Sequence, residues 1–236
     1  MKWLERTELL IKSEGIERLQ KAHVLVVGTG GIGSFAIEFL VRAGLGNITI
    51  VDADVVDITN TNRQIPALHS TVGQKKVEVM KTRMLDINPQ LNIHLVDVFL
   101  TPDNISEIVH HNFDYAIDCI DSLTPKITLI EYCVSNNIPI IACLGAGGKM
   151  DPTEVRIKML KDTENCKLGK ALRKRIKAKS VLRKCMTVYS QEHPSEDSLK
   201  LTDGSNFKKS FYGTISYMPA LFGLHAAGFV VRKLLR

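Results

Sequence analysis

The stretch VVGTGGIGS, Val26 to Ser34, places Gly28, Gly30, Gly31 and Gly33 within six residues. Such a turn lets the backbone pass close to phosphates, and a helix starting just behind it aims N–H groups at them. Asp52 and Asp54 follow after roughly twenty residues, where a carboxylate accepts both ribose hydroxyls in NAD sites and in some ATP sites. One of the two is equally compatible with a turn carboxylate that closes a strand. Next come TNTNRQI (59–65), GQKK (73–76) and DCID (118–121). Arg63 and Lys76 are suited to neutralise phosphate charge, and an Asp at the C-terminal end of a strand is suited to hold Mg²⁺. Each alone is compatible with a surface charge. Together and in this order they suit a triphosphate better than a nicotinamide, which requires an apolar slot.

These residues need a frame that brings them together. Val24 to Val27 is a short apolar run, Ile32 to Leu45 has helical spacing, and Asn47 to Asp52 is β-branched, giving strand, helix, strand. The alternation continues with a helix over Lys75 to Ile87, a strand over Asn92 to Val96 and a helix opened by Thr101-Pro102-Asp103. A strand from Asp114 to Cys119, a helix after Pro125 and a strand from Pro139 to Leu144 follow. This pattern predicts an α/β fold, a Rossmann-like, doubly wound and mainly parallel sheet, with a mixed C-terminal extension. In that extension Thr153 to Met159 reads as a strand, Lys167 to Lys179 as a basic helix and Arg183 to Ser190 as a strand. Gln191 to Ser210 reads as an exposed loop, either a lid or a connection, and Ser216 to Leu235 as an apolar helix. The division expected is an N-terminal arm and helix (1–22), a nucleotide-binding core (23–150) and the extension (151–236).

With 236 residues, 44% of them hydrophobic, the chain can bury a sizeable core. No uninterrupted apolar run suits a membrane span or signal peptide, so a cytoplasmic protein is expected. The five cysteines form no Cys-x-x-Cys pair, so neither a disulfide framework nor a zinc site is expected. The net charge of +6 concentrates between Lys158 and Lys184, where a dense run of Lys and Arg meets only Asp162 and Glu164. That run is either a solvated helix face or a contact for nucleic-acid phosphates.

Gly-x-Gly-Gly-Ile-Gly-Ser, Asp54, Asn-x-x-Arg-Gln and Asp-x-x-Asp resemble the adenylation domain of the ubiquitin-activating, E1-like superfamily. The resemblance implies ATP and Mg²⁺ as cofactors, with Asp54 on the ribose, Asn60, Arg63 and Lys76 on the phosphates and Asp121 on the metal. It also implies a homodimer in which an N-terminal arginine, matched here by Arg6, reaches the partner's phosphates. The alternative for Arg6 is an ordinary surface charge. Enzymes of this superfamily that use a nucleophilic cysteine point to Cys185, whose strand-like setting favours a packing role.

TNTNRQIPALHSTVGQKKVEVM, DCIDSLTPK and especially GAGGKMDPT (145–153) narrow the resemblance to the tRNA threonylcarbamoyladenosine dehydratases, over nearly the whole chain. What this implies is ATP-dependent activation of the threonyl carboxylate at tRNA position 37, followed by cyclisation with loss of AMP. The implied partners are tRNA and a sulfur-relay protein. The alternative is an adenylyltransferase for the C-terminus of a ubiquitin-like or sulfur-carrier protein. Two departures stand out: Lys12 occupies a place where such proteins often carry Gly, and Asn165-Cys-Lys-Leu168 replaces an Asp-Pro-Leu. A cysteine that some carry near 207–211 is missing here.

Overall fold

The computed structural model describes residues 2–109, 112–202 and 210–236. Helix α1 (Glu5–Lys21) leads into β1 (His23–Val27), α2 (Gly33–Arg42) and β2 (Asn47–Val51). Then come α3 (Lys76–Ile87), β3 (Asn92–Val96), the single turn α4 (Ile105–Ile108), β4 (Tyr115–Asp118), α5 (Leu123–Ser135) and β5 (Ile140–Cys143). The remainder comprises β6 (Val155–Met159), α6 (Lys167–Arg175), α7 (Lys179–Lys184), β7 (Met186–Ser190), β8 (Leu199–Leu201), β9 (Ser210–Tyr212) and α8 (Tyr217–Leu234).

Seven strands form one sheet in the order β3-β2-β1-β4-β5-β7-β6. Six run parallel, and β6 returns antiparallel along β7. From β1 the chain first builds outward through β2 and β3, then crosses to place β4 on the other side of β1. That reversal opens a crevice at the carboxyl ends of β1 and β4, where doubly wound sheets take their ligands.

Successive side chains of a strand point to opposite faces, so β1 feeds two cores. Val24 and Val26 join Ala36, Ile37 and Leu40 of α2, Met80 and Met84 of α3, and Met218, Phe222 and Val230 of α8. Leu25 and Val27 join Leu129, Ile130 and Cys133 of α5, together with Leu172 of α6 and Val181 of α7. Helix α8 crosses the start of α2 at close range: a Cβ built on Gly223 would lie 2.5 Å from the Ile32 carbonyl oxygen.

Four local expectations change. The helix expected after Thr101 is a single turn. The basic helix stops at Arg175, and Arg183 and Lys184 belong to α7, so β7 starts only at Met186. The region expected as an exposed loop carries the β8–β9 hairpin, although residues 203–209 lie outside the described residues. The fourth is in α1, which is broken at Lys12 (φ 64°, ψ 173°), a backbone state that suits glycine.

Candidate nucleotide-binding crevice

Gly28 leaves β1 with φ +96°, and a Cβ on it would press the Cys119 carbonyl at 3.0 Å. Gly33 is more tightly constrained, since a Cβ there would stand 1.7 Å from the Gly28 carbonyl oxygen. The loop thus folds back on itself and releases the chain into α2, whose first N–H groups have no partner within the helix. Ser34 fastens the turn by donating from Oγ to the Gly30 carbonyl at 2.7 Å while accepting from the Ile65 N–H at 3.3 Å. Gly31 faces Arg63 and Pro219, and the Gln64 amide lies 3.7 Å from where a Cβ on Gly30 would be. Anion-binding backbone and a cationic side chain therefore share one rim.

The two acids after β2 have different tasks. Asp52 accepts from the Thr29 N–H (2.6 Å), the Thr29 hydroxyl (2.8 Å) and the Asp54 N–H (2.8 Å). Oδ2 holds the glycine loop through Thr29 and Oδ1 closes the turn to Asp54, as a strand-end turn carboxylate does. Asp54 instead presents a half-exposed carboxylate, with the buried Lys76 Nζ 2.7 Å away. The Lys76 N–H also donates to the Asp54 carbonyl at 3.0 Å, so backbone and side chain both fix this pair. Arg63 donates to the Thr59 carbonyl at 3.0 Å and to Asn62 Oδ1 at 2.7 Å. Asn60 closes the single turn Ile58–Asn60, accepting from the Asp57 N–H at 3.4 Å.

Across the switch point, Asp121 is exposed in the turn after β4. A fully buried ion pair, Asp118 Oδ2 to Lys126 Nζ at 2.8 Å, sets that turn. Asp118 Oδ1 accepts from the Ile120 N–H at 2.9 Å and Lys126 donates to the Ile120 carbonyl at 2.8 Å, so the backbone of Ile120 is gripped on both sides. Burial pushes the Asp118 carboxyl above the ordinary carboxylate value, against the opposing pull of the Lys126 ammonium. Among the described residues no group of three or more His, Cys, Asp or Glu is arranged to hold a metal. A single carboxylate beside phosphates still suits Mg²⁺, which takes most of its oxygens from phosphate and water.

The GAGGKMDPT element forms the crevice wall beyond β5. Lys149 is buried and donates to the Ser190 and Glu192 carbonyls at 2.8 and 2.6 Å. Glu192 returns its carboxylate to the N–H groups of Met150 and Asp151. The Tyr217 hydroxyl donates to the Met150 carbonyl at 2.9 Å, and Asn62 Nδ2 to the Thr214 carbonyl at 3.0 Å. These bonds tie the wall to α8 and to the arginine segment.

Arg6 is not gathered into this crevice. Leu4 packs on Gly44, just past the C-terminal end of α2, about 15 Å from the glycine loop by helix rise. Arg6, two residues on, is exposed and makes no hydrogen bond or ion pair with the described residues. Leu9 and Leu10 beside it are 72% and 82% exposed. Four of the five cysteines are buried and Cys119 is partly so; Cys185 is fully buried, and burial pushes its thiol far above the ordinary value, which fits packing. Cys119 shares a hydrogen bond with Cys143, which with burial raises its thiol well above the usual range.

Thr29, Ser34, Gln64 and Lys126 fall within the motifs read from the sequence but were given no role of their own, and Glu192 lies outside those motifs. Lys126 carried a usable signal, being the one cation among the apolar residues of α5. Glu192 carried none, because it meets its partners only after β7 has folded beside β5.

The sequence profile of the ThiF family covers residues 4–236. The Bacillus subtilis tRNA threonylcarbamoyladenosine dehydratase is 38% identical over 98% of this chain and 94% of its own length. Crystal structures of the E. coli tRNA N6-threonylcarbamoyladenosine dehydratase TcdA are also similar. Its complex with ATP superposes with a TM-score of 0.89 at 37% identity, covering 99% of this chain and 94% of that one. The complex with AMP gives 0.88 at 37%, covering 98% and 93%. The chain belongs to the ThiF family.

Proposed function

We propose that this protein is an ATP-dependent tRNA threonylcarbamoyladenosine dehydratase that cyclises the modified adenosine at position 37. The observation that carries the reading is Arg63 against Gly31 at the start of α2, with the Asp54–Lys76 pair after β2 and Asp121 after β4, at the carboxyl ends of the strands on either side of β1. Its likeness to the ATP-bound TcdA structure along almost the whole chain supports the same reading.

A carboxylate is a poor electrophile, and converting it to a mixed anhydride with AMP gives it a good leaving group. The N–H groups of the glycine loop and α2 receive the phosphates, and Asp54 accepts the ribose hydroxyls. Lys76 and Arg63, aided by Asn60, offset the charge that builds as a substrate carboxylate oxygen bonds to the α-phosphorus and pyrophosphate departs. Asp121 would hold Mg²⁺, which when bound would supply further charge neutralisation on the phosphates. A group of the substrate's own carbamoyl substituent then attacks the activated carbonyl carbon, and AMP leaves. No enzyme nucleophile is needed, in keeping with the burial of Cys133, Cys143, Cys166 and Cys185. The protein's share of the work is alignment and electrostatics.

Arg6 acts in trans in this reading. Its place at the far end of α2 and the exposed Leu9 and Leu10 support an arm that reaches a second copy, making the enzyme a homodimer. No described helix is long and apolar enough to cross a membrane, and a tRNA substrate is in keeping with a cytoplasmic enzyme.

The test is ATP–pyrophosphate exchange in the presence of purified tRNA. Exchange stimulated by threonylcarbamoyl-modified tRNA, together with appearance of the cyclic nucleoside by mass spectrometry, is the expected result. Exchange stimulated only by a carrier protein with a C-terminal Gly-Gly would replace this reading with protein adenylation.

A further inference from the structure

The GAGG turn after β5 carries three backbone donors that the fold does not use. Leu144 donates to the Val188 carbonyl at 2.9 Å and Gly148 to the Gly213 carbonyl at 2.8 Å. Between them, the N–H groups of Gly145, Ala146 and Gly147 meet no acceptor among the described residues. Ala146 is only 6% exposed. Donors withdrawn from water in this way nearly always have a partner, because leaving one unpaired is costly.

The second half of the same turn shows what kind of partner suits the first. The Glu192 carboxylate accepts from the Met150 N–H at 2.9 and 3.0 Å and from the Asp151 N–H at 2.9 Å. One pair of N–H groups in the segment is thus satisfied by a carboxylate of the chain itself. Successive backbone N–H groups make a concave seat for an anion, and the three at Gly145 to Gly147 offer donors of the same kind.

This half of the turn stands between the glycine loop and the arginine segment. Cys143, two residues before Gly145, shares a hydrogen bond with Cys119, on which Gly28 and Gly33 pack. On the other side a Cβ on Gly147 would lie 3.1 Å from the Thr214 hydroxyl, and the Thr214 carbonyl accepts from Asn62, the neighbour and partner of Arg63. Gly145 itself is unlike the glycines of the loop. A Cβ built on it would meet nothing within 4 Å, and its φ is not in the left-handed region. Neither packing nor backbone requires glycine there, and a side chain would only fill open space beside the three donors.

From this arrangement we infer that the N–H groups of Gly145, Ala146 and Gly147 seat the substrate carboxylate, and that Gly145 keeps the way to them clear. This rests on the dehydratase reading and names the groups of the chain that hold the acyl end of the substrate, the cations being given to the phosphates. One carboxylate oxygen stays on the N–H groups while the other bonds to the α-phosphorus and the bond to pyrophosphate breaks. When the carbamoyl group attacks the carbonyl carbon, its proton passes to solvent and the seated oxygen takes up the negative charge. That charge returns to re-form the carbonyl as the carbon–oxygen bond to AMP breaks.

The test uses the full-length protein and two anticodon stem-loop RNAs that differ only in the threonyl group, one with its free carboxylate and one with the carboxamide. Binding is followed by anisotropy with an ATP analogue that carries a methylene between the α- and β-phosphorus, so that no adenylation occurs. The wild-type protein should prefer the carboxylate RNA by about tenfold or more. Gly145→Val should abolish that preference and the formation of cyclic nucleoside with ATP, while ATP affinity measured by isothermal titration stays unchanged. Gly145→Ala, the smaller step, should lower the preference about threefold or more and carries the test if valine impairs folding. Equal binding of both RNAs by the wild-type protein overturns the seat, and so does an undiminished preference in the variants. A wild-type protein that makes the cyclic nucleoside but shows no preference keeps the dehydratase reading and ends the seat alone. One that binds ATP yet neither binds nor converts the carboxylate RNA overturns both.

Discussion

Replacing Lys126 by Met tests how the turn that presents Asp121 is held. At 2.8 Å and without solvent contact, the Asp118–Lys126 attraction is about 6 kcal/mol at an effective dielectric constant near 20. Met fills the space but leaves Asp118 with no counter-charge, and the Ile120 carbonyl loses its donor. Breaking one partner of such a pair costs about 3–5 kcal/mol. For a chain of this size that is a fall in melting temperature of roughly 6–20 °C.

The cost should depend on pH in a definite direction. Burial already raises the Asp118 carboxyl above its ordinary 3.8, and removing the ammonium raises it further. The folded variant then keeps a proton that the unfolded chain releases. Its stability is highest below the unfolded value and falls as pH rises, by up to about 1.4 kcal/mol per unit, until the folded value is passed. Urea unfolding of wild type and variant from pH 4.5 to 7.5 should show a gap that widens with pH. The double variant Asp118→Asn, Lys126→Met carries no buried charge, and its amide oxygen can still accept from Ile120. It should recover most of the loss and all of the pH dependence. A Lys126→Met cost below about 1 kcal/mol at neutral pH, or one independent of pH, would refute the buried ion pair.

Three further substitutions probe the crevice and the arm. Gly33→Ala places a methyl 1.7 Å from the Gly28 carbonyl, so isothermal titration should show ATP binding lost while the far edge of the sheet stays protected from hydrogen exchange. Lys76→Met leaves the half-exposed Asp54 in contact with water, so the fold should persist while turnover falls about 100- to 1000-fold in a pyrophosphate-exchange assay. Lys12→Gly relieves a side chain held at φ 64°, ψ 173°, and should raise stability by about 1 kcal/mol in thermal unfolding; a loss of stability would mean that the break in α1 is absent in solution.

The frame of the crevice was legible because it is made of local patterns. Runs such as Val24 to Val27 and the β-branched Ile48 to Val51 declare strands by composition, and the glycines fix the turn between β1 and α2. Choosing between Asp52 and Asp54 was not legible, since the two differ only in what folds next to them: Thr29 takes one and Lys76 the other. The hairpin of β8 and β9 stayed hidden because Leu199-Lys-Leu201 and Ser210-Phe-Tyr212 are short, exposed strands that bury no alternating face. The boundary at Cys185 was misplaced because VLRKCMTVYS is apolar enough for either element, and the pairing of β7 with both β5 and β6 decides it. The far placement of Arg6 follows from Leu4 packing on Gly44, a contact across forty residues that no spacing rule anticipates.

The close crossing of α8 over α2 links segments far apart in sequence. The glycine loop closes at Ser34, yet Pro219 lies 3.2 Å from the Cβ position of Gly31, and Gly223 seats α8 against Ile32. A nascent chain therefore carries the loop long before it owns the helix that backs it. Nucleotide capture has to wait until α8 has been made, and premature termination anywhere upstream of Tyr217 yields a fragment with the motif but without its support.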